Sequence, residues 1–376
     1  MPAPLTTPVW GDPGDAERPG PLREAVAADV CVVGLGGSGL AAVGAALEAG
    51  ASVIGLDAGP IAGGAAGRNG GFLLAGAARF HHDAVAAWGE ERAVGIYQES
   101  LRELDRLEAE LGDPIVRRVG SLRIPASPEE EQDCADQLAM LRRHGLPAEP
   151  ADGPTGRGVF IPGDGSVQPL ERCRLLARRA VAAGARLYCD SPAVAVAGTN
   201  VRTAEGEVTC RAVVACVDGG IEALFGELAG RARTARLQML ATAPVEPGRI
   251  PCPVYDNWGY DYWQQLPDGR IALGGGRSVH AGAEWEGPAE PGDEVQAYLD
   301  ALLRERLGVD APVTHRWAGR IAYTDDRLPV FTELRPGVMV AGAHSGHGNV
   351  LGSAAGRAAM AVALGRPAGR LAELLA

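Results

Sequence analysis

Residues 29–71 read DVCVVGLGGSGLAAVGAALEAGASVIGLDAGPIAGGAAGRNGG. The stretch opens on a β-branched apolar run, Val30 to Val33, of the kind that fills a parallel strand buried on both faces. Gly34, Gly36 and Gly39 form a G-x-G-x-x-G turn, an alanine-rich helical segment runs to about Ala49, and a second apolar run, Ala51 to Leu56, ends at Asp57. Each part has a physical job. Gly34 permits a tight turn, Gly36 lets a pyrophosphate approach the backbone, and Gly39 lets helix and strand pack closely. The helix N-terminus offers free N–H groups and the positive end of its dipole. Asp57 stands 18 residues beyond Gly39, where a carboxylate accepts hydrogen bonds from ribose hydroxyls. The strand, turn, helix and strand-ending acid together predict a dinucleotide site. They do not separate NAD from FAD.

The 376-residue chain is long for one core and suits two domains folded together. Its 46% hydrophobic and 22% charged residues describe a soluble globular protein, and a net charge of -12 argues against nucleic acid or an anionic membrane as partner. There is no lysine, so all 35 basic residues are arginine. That excludes a pyridoxal Schiff base, a lysine nucleophile and a P-loop lysine. Seven scattered cysteines with no C-x-x-C pair read as buried, reduced thiols of a cytoplasmic protein. His81 and His82 are adjacent and their side chains diverge, so no metal site is expected. No basic n-region precedes an apolar core, so no signal peptide is expected, and the apolar stretch 30–56 is too interrupted to span a membrane.

Residues 1–28 read as an extended arm. Residues 83–111 carry leucines at helical spacing, Ile115 to Ile124 reads as a strand, and Pro128 to His144 as a helix with Glu129, Glu130 and Glu131 in its first turn. Residues 169–184 form a helix with Pro169 near its start and Gly184 past its end. Strand-like runs and a hairpin about Gly206 follow, and residues 236–320 read as antiparallel strands. GVMVAGAHSGHGNVLGSAAGRAAMAVAL, from Gly337, is again strand, glycine turn and helix. The fold class predicted is α/β, α+β overall. A Rossmann-like domain is assembled from three segments, 1–80, 150–235 and 321–376. An antiparallel-sheet substrate domain is interleaved as 81–149 and 236–320.

These features resemble the D-amino-acid-oxidase superfamily of FAD enzymes, which includes glycine oxidase, sarcosine oxidase and γ-glutamylputrescine oxidase. The resemblance covers nearly the whole length from about Val9. It rests on GLGGSG at 34–39, AAGRNGG at 65–71, IALGGGR at 271–277, WAGRIAYTDDRLPVF at 317–331 and AGAHSGHGNVLG at 341–352, in the family's order. AAGRNGG looks most like the γ-glutamylputrescine oxidase branch. The resemblance implies that Gly34, Gly36, Ser38 and Gly39 hold the pyrophosphate, with Gly37 beside them, and that Asp57, next to Ala58, holds the adenosine ribose. It places Arg68, Asn69, Gly70 and Gly71 along the flavin, Val194 at the adenine through its backbone, and Gly346, His347, Gly348, Asn349 and Val350 under the isoalloxazine.

Two departures bear on chemistry. Relatives acting on free amino acids often clamp the carboxylate with an arginine four residues after the tryptophan matching Trp317; here Ile321 stands there, preceded by Arg320. With Arg320 turned away, an amine or modified amino acid becomes the better substrate. Some relatives activate oxygen with a lysine, which this chain lacks, so a histidine or arginine must supply positive charge, or oxygen is not the acceptor. YDNWGYDYWQQL at 255–266 concentrates aromatic residues; alternation could put Tyr260 and Tyr262 on one face and Trp263 on the other, forming either a wall that seats a cationic or apolar amine or a core patch. Tyr262, Arg277, His344 and His347 are the catalytic candidates. The expected protein is a cytoplasmic FAD oxidase of an amine or amino acid, monomeric or a small homo-oligomer, with oxygen as acceptor. No cysteine follows Cys252, so FAD is expected to be non-covalent. The alternatives are a dehydrogenase feeding a quinone or carrier, a non-catalytic flavin-binding interaction protein, and an NAD(P) dehydrogenase; the C-terminal glycine motif counts against the last.

Overall fold

The computed structural model describes residues 7–376 apart from 16–17, 154–155 and 286. Val30–Val33 and Val53–Leu56 are buried at every position and pair in parallel, as their unbroken apolar character requires. They lie in a six-stranded sheet whose order is Arg186–Tyr188, Val53–Leu56, Val30–Val33, Ala212–Ala215, Val338–Gly342 and Val330–Arg335. Only the last strand is antiparallel to its neighbour. Chain-distant segments thus meet side by side: Val213 sits in register with both Cys31 and Val338. One face of the sheet, through Val30 and Val32, packs on the helices Gly37–Glu48, Pro169–Ala182 and Ser353–Ala363. The other, through Cys31 and Val33, is covered by a small sheet that includes Asn200–Arg202 and Glu207–Thr209.

The second large sheet has eight strands in the order Val313–Tyr323, Arg233–Thr242, Ile271–Gly275, Asp261–Gln265, Val254–Asp256, Ser121–Arg123, Gly156–Ile161 and Glu149–Gly153. It is antiparallel except where Val254–Asp256 meets Ser121–Arg123. Glu149–Gly153 and Gly156–Ile161, expected at the head of the second nucleotide segment, therefore pair into the other sheet, Phe160 opposite Leu122. Nor does helix Glu90–Leu111 keep to the substrate side. It packs on the C-terminal helices, and Arg357 joins it through Glu103 at 3.3 Å and Glu110 at 2.8 Å.

Glycine conformation accounts for two further differences. The expected helix 83–111 is two, His81–Trp88 and Glu90–Leu111, parted at Gly89 with φ +85°. The expected strand 115–124 is also two, Val116–Arg117 and Ser121–Arg123, in different sheets with Gly120 at φ +74° between them. Helices Arg277–Glu284 and Asp293–Ala301 interrupt the antiparallel region. The N-terminal arm is not merely extended: Val9 and Trp10 are buried, and Trp10 Nε1 donates to the Asn69 carbonyl at 2.8 Å. All seven cysteines are buried free thiols. Among the described residues no helix is long and apolar enough to cross a membrane.

Candidate active site

The glycine turn packs backbone against backbone. A Cβ at Gly39 would lie 1.8 Å from the Gly34 carbonyl oxygen, and one at Gly34, where φ is +94°, would lie 2.7 Å from the Cys216 oxygen. Helix Gly37–Glu48 begins at Gly36 with no side-chain cap, which leaves its first N–H groups directed at the cavity in front of it. Asp57 crosses to the turn: its carboxylate accepts from Leu35 N at 2.7 Å and Gly59 N at 3.0 Å. Burial raises its pKa, opposed by those backbone donors. A carboxylate has more acceptor positions than these two bonds use, so capacity remains for a ribose.

This cavity, about 720 Å³, is lined by Gly34, Gly36, Gly37, Asp57 and Ala58 and by Ser191, Pro192 and Ala193. Ser38 also lines it, but its hydroxyl lies 2.9 Å from where a Gly356 Cβ would stand, so it is tucked against the C-terminal helix and only its backbone serves an anion. Gly39 does not line the cavity; its part is close packing. Val194 corrects the adenine assignment. Its side chain is 61% exposed and its N–H is taken by the Arg202 carbonyl at 2.8 Å, so the neighbouring Ser191–Pro192–Ala193 turn forms the wall.

The AAGRNGG loop and the HSGHGN turn are 280 residues apart and are bonded to each other. Asn69 Oδ1 accepts from Gly71 N at 2.8 Å and from Asn349 Nδ2 at 3.0 Å, while Asn69 Nδ2 donates to the Ala66 carbonyl at 2.8 Å. Asn349 Nδ2 also reaches the Phe72 carbonyl at 2.9 Å. Trp317, fully buried, donates to the Arg68 carbonyl at 2.8 Å, and Arg68 Nε donates to the Gly63 carbonyl at 2.9 Å. Gly71 lies off both cavities, at φ +72°, where its N–H completes the Asn69 turn.

Beyond this joint lies a second cavity of about 480 Å³. The two share Arg68, Asn69, Ile321, Gly346 and Asn349 in their walls. Gly70, His347, Val350, Tyr262 and Arg277 face the smaller one, and Gly348 and His344 the larger. Tyr260 and Tyr262 line the smaller cavity together while Trp263 is buried in a separate apolar cluster. Arg320 is exposed and borders only the larger cavity, while Ile321 lines both.

Burial pushes His344 down to about 4 and His347 to about 3, the latter with help from the Arg123 charge. Both imidazoles are neutral at physiological pH, so positive charge here comes from arginine. Among the described residues His347 has no hydrogen-bond partner at either ring nitrogen, nor His344 at Nδ1. The aromatic wall also differs from expectation. Arg277 lies over Tyr260 at 5.2 Å, Trp285 at 5.5 Å and Tyr323 at 4.4 Å, and Arg123 over Phe80 at 5.3 Å and Tyr255 at 5.6 Å. The cations stacked on these rings belong to the protein itself.

A family model described as DAO, FAD dependent oxidoreductase, matches residues 29–361. The chain belongs to this family. It is 28% identical over 372 aligned residues to the gamma-glutamylputrescine oxidoreductase of Escherichia coli (strain K12), covering 89% of this chain and 83% of the relative. It is 27% identical over 364 residues to the probable oxidoreductase OrdL of Rhizobium meliloti (strain 1021), covering 90% and 83%. Among solved structures, glycine oxidase from Geobacillus kaustophilus superposes with a TM-score of 0.73 at 19% identity, covering 91% of this chain and 95% of the other. L-proline dehydrogenase from P. horikoshii superposes with a TM-score of 0.74 at 18% identity, covering 92% and 95%. These two share the fold.

The residues of this FAD-dependent oxidoreductase fit its cofactor. The uncapped helix end, the Asp57 carboxylate and the His347 ring, unpartnered among the described residues, lie along one continuous pair of cavities. Two contributors escaped the motifs. Arg172, 1% exposed, donates to the Asn349 carbonyl at 2.8 Å and to Ser353 Oγ, bracing the C-terminal turn from behind. Its signal was an arginine on the apolar stripe of Pro169–Ala182, beside Pro169, Cys173 and Leu176. Arg123 is the other; its signal was period-2 alternation, which puts it with Ser121 on one face of a short strand. At the surface, His82, Asp133 and Asp136 bring ligand atoms within 4.8 Å of one another, a grouping that exposed acids also form without an ion.

Proposed function

We propose that this protein oxidises a C–N bond of an amine or amino acid, using non-covalently held FAD and passing the electrons to oxygen. The observation that carries the reading is the joining of the two cavities at Asn69 and Asn349, which sets a chamber walled by tyrosines and arginines against the cofactor's place. The names of the relatives support it, since one is a gamma-glutamylputrescine oxidoreductase and a fold neighbour is a glycine oxidase. The net change for a primary amine is RR′CH–NH2 + O2 + H2O → RR′C=O + NH3 + H2O2. When bound, FAD supplies the two-electron oxidation of the C–N bond.

The chain's own residues position and desolvate. Tyr262 packs edge-on to Phe72 and Tyr255, with ring centroids 5.9 and 6.1 Å apart, which fixes the wall of the chamber. Burial holds the Tyr255 and Tyr262 hydroxyls protonated, so both are donors. His347, held neutral with a pKa near 3, is too weak a base to take a proton from an ammonium at neutral pH, and His344 faces the other cavity. The amine therefore reacts as the free base, and the nearby arginine charge favours that form.

The test is anaerobic mixing with a panel of amines and amino acids. A substrate should bleach the visible flavin band, and air should restore it with release of peroxide. An enzyme whose colour no amine removes would refute the reading. The lack of lysine, with both histidines neutral, favours as second reading a dehydrogenase; its colour would return with a quinone and not with air.

A further inference from the structure

Arg123 is the unexplained charge of the smaller cavity. It ends the strand Ser121–Arg123 and is 9% exposed. Among the described residues its guanidinium makes no hydrogen bond or ion pair, and Nε is buried without any partner. Asp164, the buried acid whose charge it feels, is already engaged: it accepts from Ser121 Oγ at 2.6 Å and Ala75 N at 2.8 Å. Phe80 and Tyr255 hold the plane of the guanidinium but satisfy none of its N–H groups. A buried cation left in this state is costly, and proteins keep one where its partner arrives as ligand.

Arg277 repeats the arrangement. It begins helix Arg277–Glu284, is half-buried, and has three ring contacts but no hydrogen bond or ion pair among the described residues. The acids on the cavity wall, Asp83 and Asp325, are both exposed. The chamber is therefore positive and short of acceptors, with two separate guanidinium centres: Arg123 on Phe80 and Tyr255, and Arg277 on Tyr260 and Tyr323, where Arg327 stands 5.1 Å over the same Tyr323 ring. A ring-stacked guanidinium presents its edge, the geometry that grips a carboxylate through two parallel hydrogen bonds. A ligand with one carboxylate would leave the second arginine uncompensated.

We propose that the substrate carries two carboxylates, one seated on Arg123 and one on Arg277. The amine oxidised is then that of an acidic or N-carboxyalkyl amino acid. This rests on the oxidation reading for what happens to the amine, but not for the binding itself. It also supplies the carboxylate recognition that Ile321 cannot, from the eight-stranded sheet and its helix and not from the strand that follows Trp317.

The experiment is calorimetric titration of the FAD-loaded protein with the dicarboxylates from succinate to adipate, and with the monoamide and diamide of each. At least one dicarboxylate should bind, with affinity falling roughly tenfold or more for each carboxylate turned into an amide. Arg123→Gln and Arg277→Gln should each weaken that dicarboxylate by a similar factor while flavin content is retained. The proposal is overturned if no dicarboxylate binds better than its diamide, if a monoamide matches its parent, or if Arg123→Gln binds the dicarboxylate as the wild type does. Should Arg123→Gln fail to fold, the wild-type series and Arg277→Gln still decide. Because the titration reads binding, failure of every amine to bleach the flavin would sink the oxidation reading and leave this one standing.

Discussion

Replacing Asn69 by alanine should damage cofactor binding far from any contact made by chemistry. The side chain makes three bonds of 3.0 Å or less, to the Ala66 carbonyl, the Gly71 N–H and the Asn349 amide, each of which would lose a bond. Losing each bond in a part-buried joint costs roughly 1 kcal/mol, so the total is about 3 kcal/mol. If the whole of that is recovered only when FAD orders the two loops, the dissociation constant rises by roughly a hundredfold, which is the ceiling. Asn69→Asp should fall between, because it keeps an acceptor for Gly71 N but loses the donor to Ala66. The assay is titration of apoprotein with FAD, followed by quenching of flavin fluorescence, with Asn349→Ala and the double variant completing a cycle. Contact between the two amides should appear as a coupling of about 1 kcal/mol. An Asn69→Ala protein that binds FAD within about twofold of wild type would refute the idea that this pair joins the flavin loops.

Gly39→Ala should abolish FAD binding, since its Cβ would meet the Gly34 carbonyl at 1.8 Å, whereas Gly44→Ala in the same helix meets nothing within 4 Å and should raise stability by roughly 0.5–1 kcal/mol in chemical denaturation. Acid precipitation should leave the yellow colour in the supernatant; flavin in the pellet would show a covalent link. Burial pushes Asp164 and Asp218 up to about 6, so the folded protein holds protons that the unfolded chain releases near pH ~3.9. Their stabilising contribution is complete below that pH and is lost as pH rises through about 6. His344 and His347, pushed down to about 4 and about 3, act oppositely: their contribution is present above pH ~6.5 and is lost as pH falls. Comparing wild type with Asp164→Asn isolates one carboxyl. Wild type should lose about 1 kcal/mol relative to the variant between pH 5 and 7.5, read from denaturation midpoints.

Local features carried far in this chain. Val30–Val33 and the turn after it were legible because a fully buried parallel strand and a glycine turn each need particular residues at consecutive positions. The capped helix Pro128–Arg143, whose Ser127 hydroxyl accepts from Glu130 N at 3.2 Å, was legible for the same reason. Less was legible where a residue's partner is distant. The strand Gly156–Ile161 has no property that says which sheet it joins, and its pairing with Ser121–Arg123 is a tertiary choice. The resemblance put the Val194 backbone at the adenine, but the Arg202 carbonyl claims its N–H through a hairpin whose orientation the sequence does not state.

The sequence by itself determined the glycine turn between Val30–Val33 and its helix and, through the absence of lysine, the chemistry that is closed to this protein. Those properties depend on residue types at short spacing or on composition, and no folding is needed to read them. Tertiary structure alone decided that Asn69 and Asn349 would be bonded across 280 residues, that both histidines would be neutral, and that Arg123 and Arg277 would stand in one chamber with aromatic rings and no acid partner among the described residues. Protonation follows from desolvation, and an arginine is a surface charge or a ligand anchor according to which acids the fold brings near it. Neither quantity exists until the chain has closed around it.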